Sequence, residues 1–581
     1  MYEKISQMKM PERIEALTKS LINIKSINGT VGEAAAADFI KEVLTGFPYF
    51  KQHPDQVWEQ PIPSDPYGRK NVFALLKGTR ESQKTVIYHA HIDTVGIEDF
   101  GPLKDDALDP DKLSEYFASY SFHQEVQKDA QSGEWMFGRG SVDMQSGIAV
   151  HLANVLYFSE HLDELPGNIL FMANPDEESQ HAGILSAIPE LNRLQREHQL
   201  TYLSAINTDF ITPLYDGDST RYIYTGAAGK LLPCFYIYGR EVHVGDTLAG
   251  IDPNLIASEL TRRIHNNINL AENIDGELIL PPSCLYQRDN KESYNVQTAV
   301  SSYLYFNYFL YEKTAKEVMD QLLHISLEAC EHVEEKLSDY YEEFLKRTNL
   351  PKKDLSWHIQ VVSLEEYMEE LRGKGIDPDL SIKETFKKYE HLELRMRCFK
   401  VVEELQKLDP EQSAKVIVFY APPYLPHNFL KEENNNDRQL LSVIKEAVEK
   451  VAVSTGETFA FKKFFPYLAD GSFLSLHETD SEIASFTKNF PGWDIIGSIP
   501  FEDIRQLNIP SINMGVYGKN GHKWTERVYK PYTFHVLPAL IQQTTVHLLE
   551  SNQLTTDRKK QNGSEHKTYT YSCDHDNGCV N

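Results

Sequence analysis

Tyr88-His89-Ala90-His91-Ile92-Asp93-Thr94-Val95 follows the apolar run Thr85-Val86-Ile87, and the reading of the whole chain turns on this stretch. Thr85 to His91 has the β-branched and aromatic content of a strand. Side chains alternate along a strand, so His89, His91 and Asp93 share one face. Imidazoles and a carboxylate at the end of an apolar strand are costly to desolvate without a partner. On these residues alone the cluster is either part of a metal site or a hydrogen-bonded His–Asp pair, and His89 by itself reads most simply as a satisfied core histidine. Similar β-rich runs stand at Asn71 to Leu76, Asn168 to Ala173 and Tyr202 to Asn207. Helical spacing of Ile14, Leu17, Leu21 and Ile22, an alanine-rich stretch from Glu33 to Leu44, and Gly147 to Phe158 supply helices between them. This alternation predicts an α/β sheet covered on both faces.

After Gly226 the pattern changes. A strand at Leu232 to Tyr238, a helix at Pro253 to Asn269 and a strand at Gln297 to Leu310 predict a small α+β unit, followed by a long helix from Thr314 to Leu345 and further helices to about Leu408. The acidic face of that long helix (Glu334, Glu335, Asp339, Glu342, Glu343) reads as solvated surface. The α/β rhythm returns at Val416 to Tyr420, with a helix near Leu440 to Val453 and an apolar run at Ile509 to Val516. The expected organisation is a sheet domain built from residues 1–225 and 410–552, an insertion at 226–409 with a helical extension from 311, and a disordered polar tail at 553–581. A zinc knuckle from Cys573, His575 and Cys579 is the alternative reading of that tail.

Composition excludes some classes of function. The 581 residues carry 58 Lys and Arg against 85 Asp and Glu, a net charge of −27, which a nucleic-acid backbone would repel. The opening residues lack the apolar segment of a signal peptide, and no run of 18 apolar residues follows, so no membrane association is expected. Six scattered cysteines do not make a disulfide framework, and a cytoplasmic location is the expectation.

Four more segments carry chemistry. Gly138-Arg139-Gly140-Ser141-Val142-Asp143 sets an aspartate just before a helical run, where it could simply cap the helix. Asn174-Pro175-Asp176-Glu177-Glu178 places three carboxylates directly after a strand; they are an exposed acidic loop or they face a cation. Asp209 ends a strand, and His522 follows the turn Gly518-Lys519-Asn520-Gly521. Taken in order, His-x-Asp, Gly-Arg-Gly-x-x-Asp, Asp-Glu-Glu, a strand-end Asp and Gly-x-x-x-His-x-x-x-Glu resemble the M20 family of metallopeptidases and amidohydrolases. The opening Leu21 to Gly29 is similar to that family's own, and the extended, tyrosine-rich lid looks most like its arginine-utilisation branch.

The resemblance implies a zinc-peptidase-like catalytic sheet domain with an inserted α+β lid that also serves in dimerisation. It implies two divalent ions, with Zn²⁺ best suited to the ligands and Co²⁺ or Mn²⁺ also fitting. By that analogy Asp143 bridges both ions, Glu178 and His522 complete one, and His91 and Asp209 complete the other. Asp93 would orient His91, and Glu526 could do the same for His522. Glu177 would be the general base, and His243, in Gly239-Arg240-Glu241-Val242-His243, would reach an active site, often that of a second copy in a homodimer. The implied activity is hydrolysis of a C–N amide bond in a small peptide or N-acyl amino-acid-like substrate, in arginine or other amino-acid catabolism. An aminopeptidase or dipeptidase, and a catalytically silent metal-binding scaffold, are the alternatives. Two departures stand out. Tyr305-Phe306-Asn307-Tyr308-Phe309 replaces the Asp-x-Arg whose arginine grips a substrate carboxylate, so that clamp is expected to be missing and a neutral or cationic substrate to be favoured, with Arg240 or Arg288 supplying a clamp as the alternative; Gln145 replaces the usual Lys.

Overall fold

A computed structural model of the chain describes residues 1–465, 470–497, 499–552 and 554. Apart from Leu554, the tail from 553, with Cys573, His575 and Cys579, lies outside the described residues.

The first part of the chain runs α1 (Met10–Ile22), α2 (Val31–Thr45), β1 (Val57–Pro61), β2 (Lys70–Lys77), β3 (Lys84–His91), α3 (Gln145–Glu160), β4 (Asn168–Asn174), α4 (Ala182–Glu197), β5 (Thr201–Asn207) and β6 (Arg221–Tyr224). Strand alternation sorts the side chains between two cores. Val86, Tyr88 and Ala90 of β3 and Ile169, Phe171 and Ala173 of β4 face the side covered by α1 and α3, while Ile87, Leu170 and Met172 face α4. Each such large side chain, fully buried, contributes about 1.5–3 kcal/mol, so both faces must be covered for the sheet to persist.

The chain then enters a second sheet. It comprises β7 (Gly229–Leu231), β8 (Pro233–Tyr238), β9 (Ser283–Asp289) and β10 (Ser301–Leu310), with α5 (Pro253–Ile264) between β8 and β9. The long helix α6 (Ala315–Thr348) starts where Thr314 and Glu317 cap each other reciprocally. Then come β11 (Gln360–Ser363), α7 (Leu364–Gly373), α8 (Pro378–Lys388), α9 (Leu394–Leu408) and β12 (Lys415–Tyr420). The strand order is β9-β10-β8-β12-β11, with β7 pairing β10. Phe235 and Ile237 pack toward α5 and α6, whereas Cys234 and Tyr236 pack toward α7, α8 and α9. The helical extension is thus the cover of the second sheet's other face.

Lys415–Tyr420 departs from expectation. Its apolar run predicts a strand of the first sheet, but it lies antiparallel to β8, with Val418 opposite Phe235, so the return to the first sheet comes after Tyr420 and not at 410. A continuous apolar run shows that a strand is buried on both faces, not which neighbour it pairs with. The return is made by α10 (Asn435–Thr455), β13 (Phe459–Lys462), β14 (Ser511–Asn513) and α11 (Leu537–Glu550). The first sheet has the order β1-β2-β4-β3-β5-β14-β6-β13. Strands β4, β3 and β5 are parallel, and His91 pairs with Asn174 as His89 does with Asn207, so their carboxyl ends stand side by side. That edge is where loops of an α/β sheet converge on a ligand. Among the described residues no helix is long and apolar enough to cross a membrane.

Candidate metal centre

The loops beyond β3, β4 and β5 bring the separated motifs together. His91 Nε2 lies 3.0 Å from Asp143 Oδ1, and His522 Nε2 lies 3.0 Å from Asp143 Oδ2 and 3.0 Å from Glu178 Oε1. His91, Asp143 and Asp209 each offer a donor atom within 4.8 Å of the others, as do Asp143, Glu178 and His522. The two groups share Asp143, whose oxygens are divided between the two imidazoles. A carboxylate presenting one oxygen to each of two His-containing groups is suited to bridging two cations, and this donor chemistry fits divalent metal. Burial opposes ionisation of Asp143, but hydrogen bonds from His522 and His91 outweigh it and hold its carboxyl below the usual range. Burial would likewise lower His522, yet hydrogen bonds to Asp143 and Glu178 raise it to about 11. Asp209, buried and close to the Asp143 charge, is pushed well up. Carboxylates gathered this closely out of water are stabilised by cations.

The turn bearing Asp143 is built for it. Gly140 has φ +80°, and a Cβ there would stand 2.9 Å from Thr94 Cγ2 and from Gln145 Cγ. Glu526 accepts from the backbone N–H of Val142 and Asp143 (3.1 and 3.3 Å) and from Arg139 Nη1 at 2.5 Å, while Arg139 also reaches Asp99 at 2.7 Å. Glu526 therefore holds the turn under Asp143 and makes no contact with His522, contrary to the role expected from its spacing. Burial, and the Asp143 charge beyond it, raise Glu526 to about 7 even beside Arg139. Gln145 donates to Ile92 O (2.6 Å) and Ser26 Oγ (3.0 Å), tying the same turn to the end of β3 and showing what takes the place of the usual Lys. Replacing Glu526 with Ala leaves the buried Arg139 guanidinium with Asp99 and the Gly96 carbonyl, and stability should fall by about 3 kcal/mol. Urea denaturation reads this directly; a loss under about 0.5 kcal/mol would show that the ion pair does not hold the turn.

The three carboxylates of the 174–178 loop have separate surroundings. Asp176, at φ +70°, pairs with Arg69 at 2.5 Å, and its N–H donates to Glu33 at 2.9 Å. Asp93 accepts from the N–H groups of Glu177 and Glu178 (3.1 and 3.0 Å) and from Asn28 (2.8 Å). His91 Nδ1 stands 3.0 Å from the Asp93 carbonyl and 3.5 Å from its carboxylate. Asp93 thus steadies both His91 and the backbone of the Glu177-Glu178 pair. Glu177 is 6% exposed, and among the described residues its Oε1 has no hydrogen-bond partner. Burial, and the charges of Glu178, Asp470 and Asp209 beyond it, push its carboxyl well up. Beside it stand His181 and Asp470, joined Nδ1 to Oδ1 at 2.7 Å and forming with Glu177 a third group able to hold a cation or a proton. Sequence reasoning missed this pair: 289 positions separate the two residues, and no motif flanks either.

A cleft of about 410 Å³ is lined by Asp143, Glu177, Glu178, Asp209 and His522 together with Lys230, Phe309, Pro423 and Arg395. His243 is not among its lining residues. It sits on an exposed loop where its Nδ1 accepts from Gly245 N at 3.0 Å. Arg240 and Arg288 do not line the cleft either, and Arg240 donates to Ala249 O.

The sequence profile described as Peptidase family M20/M25/M40 matches residues 87–489. The chain belongs to that family. It is an M20 hydrolase, with the mixed α/β architecture and inserted second sheet that the motifs predict. Protein RocB of Bacillus subtilis strain 168 is 74% identical over 562 residues, spanning 97% of this chain and 99% of its own. Uncharacterized protein YqjN of the same strain is 32% identical over 547 residues, 93% of this chain and 97% of its own. A tripeptidase structure from Staphylococcus aureus subsp. aureus mu50 aligns over 93% of this chain and 99% of its own, with 14% identity and a TM-score of 0.48. His522 and Glu526 lie beyond the segment matched to the M20 profile, and their place in the site rests on the geometry above.

Proposed function

We propose that the chain hydrolyses a C–N amide bond in a small peptide or N-acyl amino-acid-like substrate, with His91, Asp143, Glu178, Asp209 and His522 holding two divalent ions. Zn²⁺ suits this mixture of imidazole and carboxylate best. The observation that carries the reading is the division of Asp143 between two His-containing groups beside a buried Glu177 whose Oε1 has no hydrogen-bond partner among the described residues. Ions held there would supply Lewis acidity, easing deprotonation of water and polarising the substrate carbonyl. Glu177, next in sequence to a ligand but itself free, takes a proton from the attacking water on its carboxylate and passes it to the leaving nitrogen. Water adds its oxygen to the carbonyl carbon, the C–N bond breaks, and amine and carboxylate leave. The N–H contacts to Asp93 fix where that carboxylate swings, and His181 with Asp470 hems it from the other side. Release of amine from a panel of N-acyl amino acids and dipeptides, with metal content measured in parallel, tests the reading. No turnover by fully metal-loaded protein would leave a silent scaffold. The resemblance to the arginine-utilisation branch supports a role in amino-acid breakdown.

His243 lies outside its own chain's cleft, and we infer that it serves the site of a second copy in a homodimer formed through the inserted unit. Mixing inactive His243→Ala with inactive Glu177→Gln subunits should then restore part of the activity, because one hybrid site keeps both groups. No recovery under conditions of proven subunit exchange would rule this out.

A further inference from the structure

The second sheet puts two cations into the cleft where the sequence shows no carboxylate clamp. Lys230 lies on β7 directly opposite Phe309 of β10, and both line the cleft. Among the described residues the Lys230 ammonium has no hydrogen-bond or ion-pair partner. Burial, and the nearby charge of Arg395 beyond it, outweigh the opposing charge of Glu177 and lower Lys230 to about 8. Arg395 comes from the first turn of α9, where a cation meets the positive end of the helix dipole and gains nothing from it. Among the described residues its one carboxylate partner is the helix cap two positions before it, Glu393, which also accepts from the Arg395 N–H. A lone ammonium and a guanidinium close enough to disfavour each other, opening on a site lined with catalytic carboxylates, are arranged to receive an anion.

We propose that Lys230 and Arg395 together seat a carboxylate of the substrate, so that the chain selects N-acyl amino acids or peptides with a free carboxylate near the scissile amide. This rests on the amide-hydrolase reading for the position of the amide, but the anion seat can be read without turnover. The helical extension then contributes to substrate binding as well as to packing, because α9 closes the second sheet's outer face and delivers Arg395 into the cleft.

The test uses the metal-loaded Glu177→Gln protein and calorimetric titration of N-acetyl and N-benzoyl amino acids and dipeptides, each paired with its carboxamide. Carboxylates should bind roughly ten- to a hundredfold more tightly than their amides, the range of a charge-assisted contact. That preference should collapse toward unity in Lys230→Met and in Arg395→Met, and survive in part in Arg395→Lys. Equal binding of acid and amide, failure of every acid to bind, or a preference unchanged in whichever methionine variant folds would overturn the proposal. If the preference holds but wild-type protein cleaves no probe, the hydrolase reading falls and the anion seat stands.

Discussion

Asp143→Ala should purify with neither metal ion, whereas the wild-type chain should hold two. Asp143 alone belongs to both donor groups, with Oδ1 toward His91 and Oδ2 toward His522. Removing it leaves two donors on each side, His91 with Asp209 and Glu178 with His522, and the two sides lose the carboxylate that ties them. Metal sites derive affinity from a complete donor set, so activity should vanish with the ions. Elemental analysis after dialysis against a weak chelator measures this without any substrate. Retention of two ions per chain would remove the bridge; retention of one would show that the two donors left on one side suffice without Asp143. His91→Ala and His522→Ala serve as the comparison, each expected to lose one ion more readily than the other.

Glu177→Gln should show the opposite pattern, with both ions kept and turnover reduced by about 10²- to 10⁴-fold, the usual effect of removing a general base. Glutamine preserves the size of the side chain and leaves the two N–H contacts to Asp93 in place, since those are made by the backbone. It removes only the capacity to carry a proton. Unchanged kcat with unchanged metal content would refute the role and point to the His181–Asp470 pair as the place to look for the base. A fall in metal content would instead mean that Glu177 is itself a ligand, as the group it forms with His181 and Asp470 would permit.

Much of this was legible in the sequence, for reasons visible in particular residues. Lys84–His91 and Asn168–Asn174 are parallel strands buried on both faces, so their apolar content is continuous and their ends are marked by sudden polarity. The loops carrying the candidate metal donors follow those ends, which is why each segment could be picked out before any contact was known. Arg221–Tyr224 and Phe459–Lys462 escaped notice because each is four residues long, and each becomes a strand by pairing with the other in parallel across more than 230 positions. Arg395 was illegible for a different reason. Charge on an amphipathic helix reads as solvated surface, and only the packing of α9 over the second sheet turns that arginine inward. Glu526 was found at the right spacing but given the wrong neighbour, since helical periodicity does not hold through the turn from His522 to Glu526.

The contact between His522 and Glu178 spans 344 positions, and that between Arg139 and Glu526 spans 387. A ribosome-bound chain can form β3 and β4 long before His522 and Glu526 emerge, but it cannot complete the second donor group, and Arg139 then has Asp99 without Glu526. Without those last partners the first half is expected to open locally more readily than the finished protein. On the two-ion reading, capture of the second ion would be coupled to the last stretch of the fold, so a prematurely terminated product ending before residue 522 should be both metal-poor and easily degraded, and occupancy of that ion would report that translation had run past residue 522.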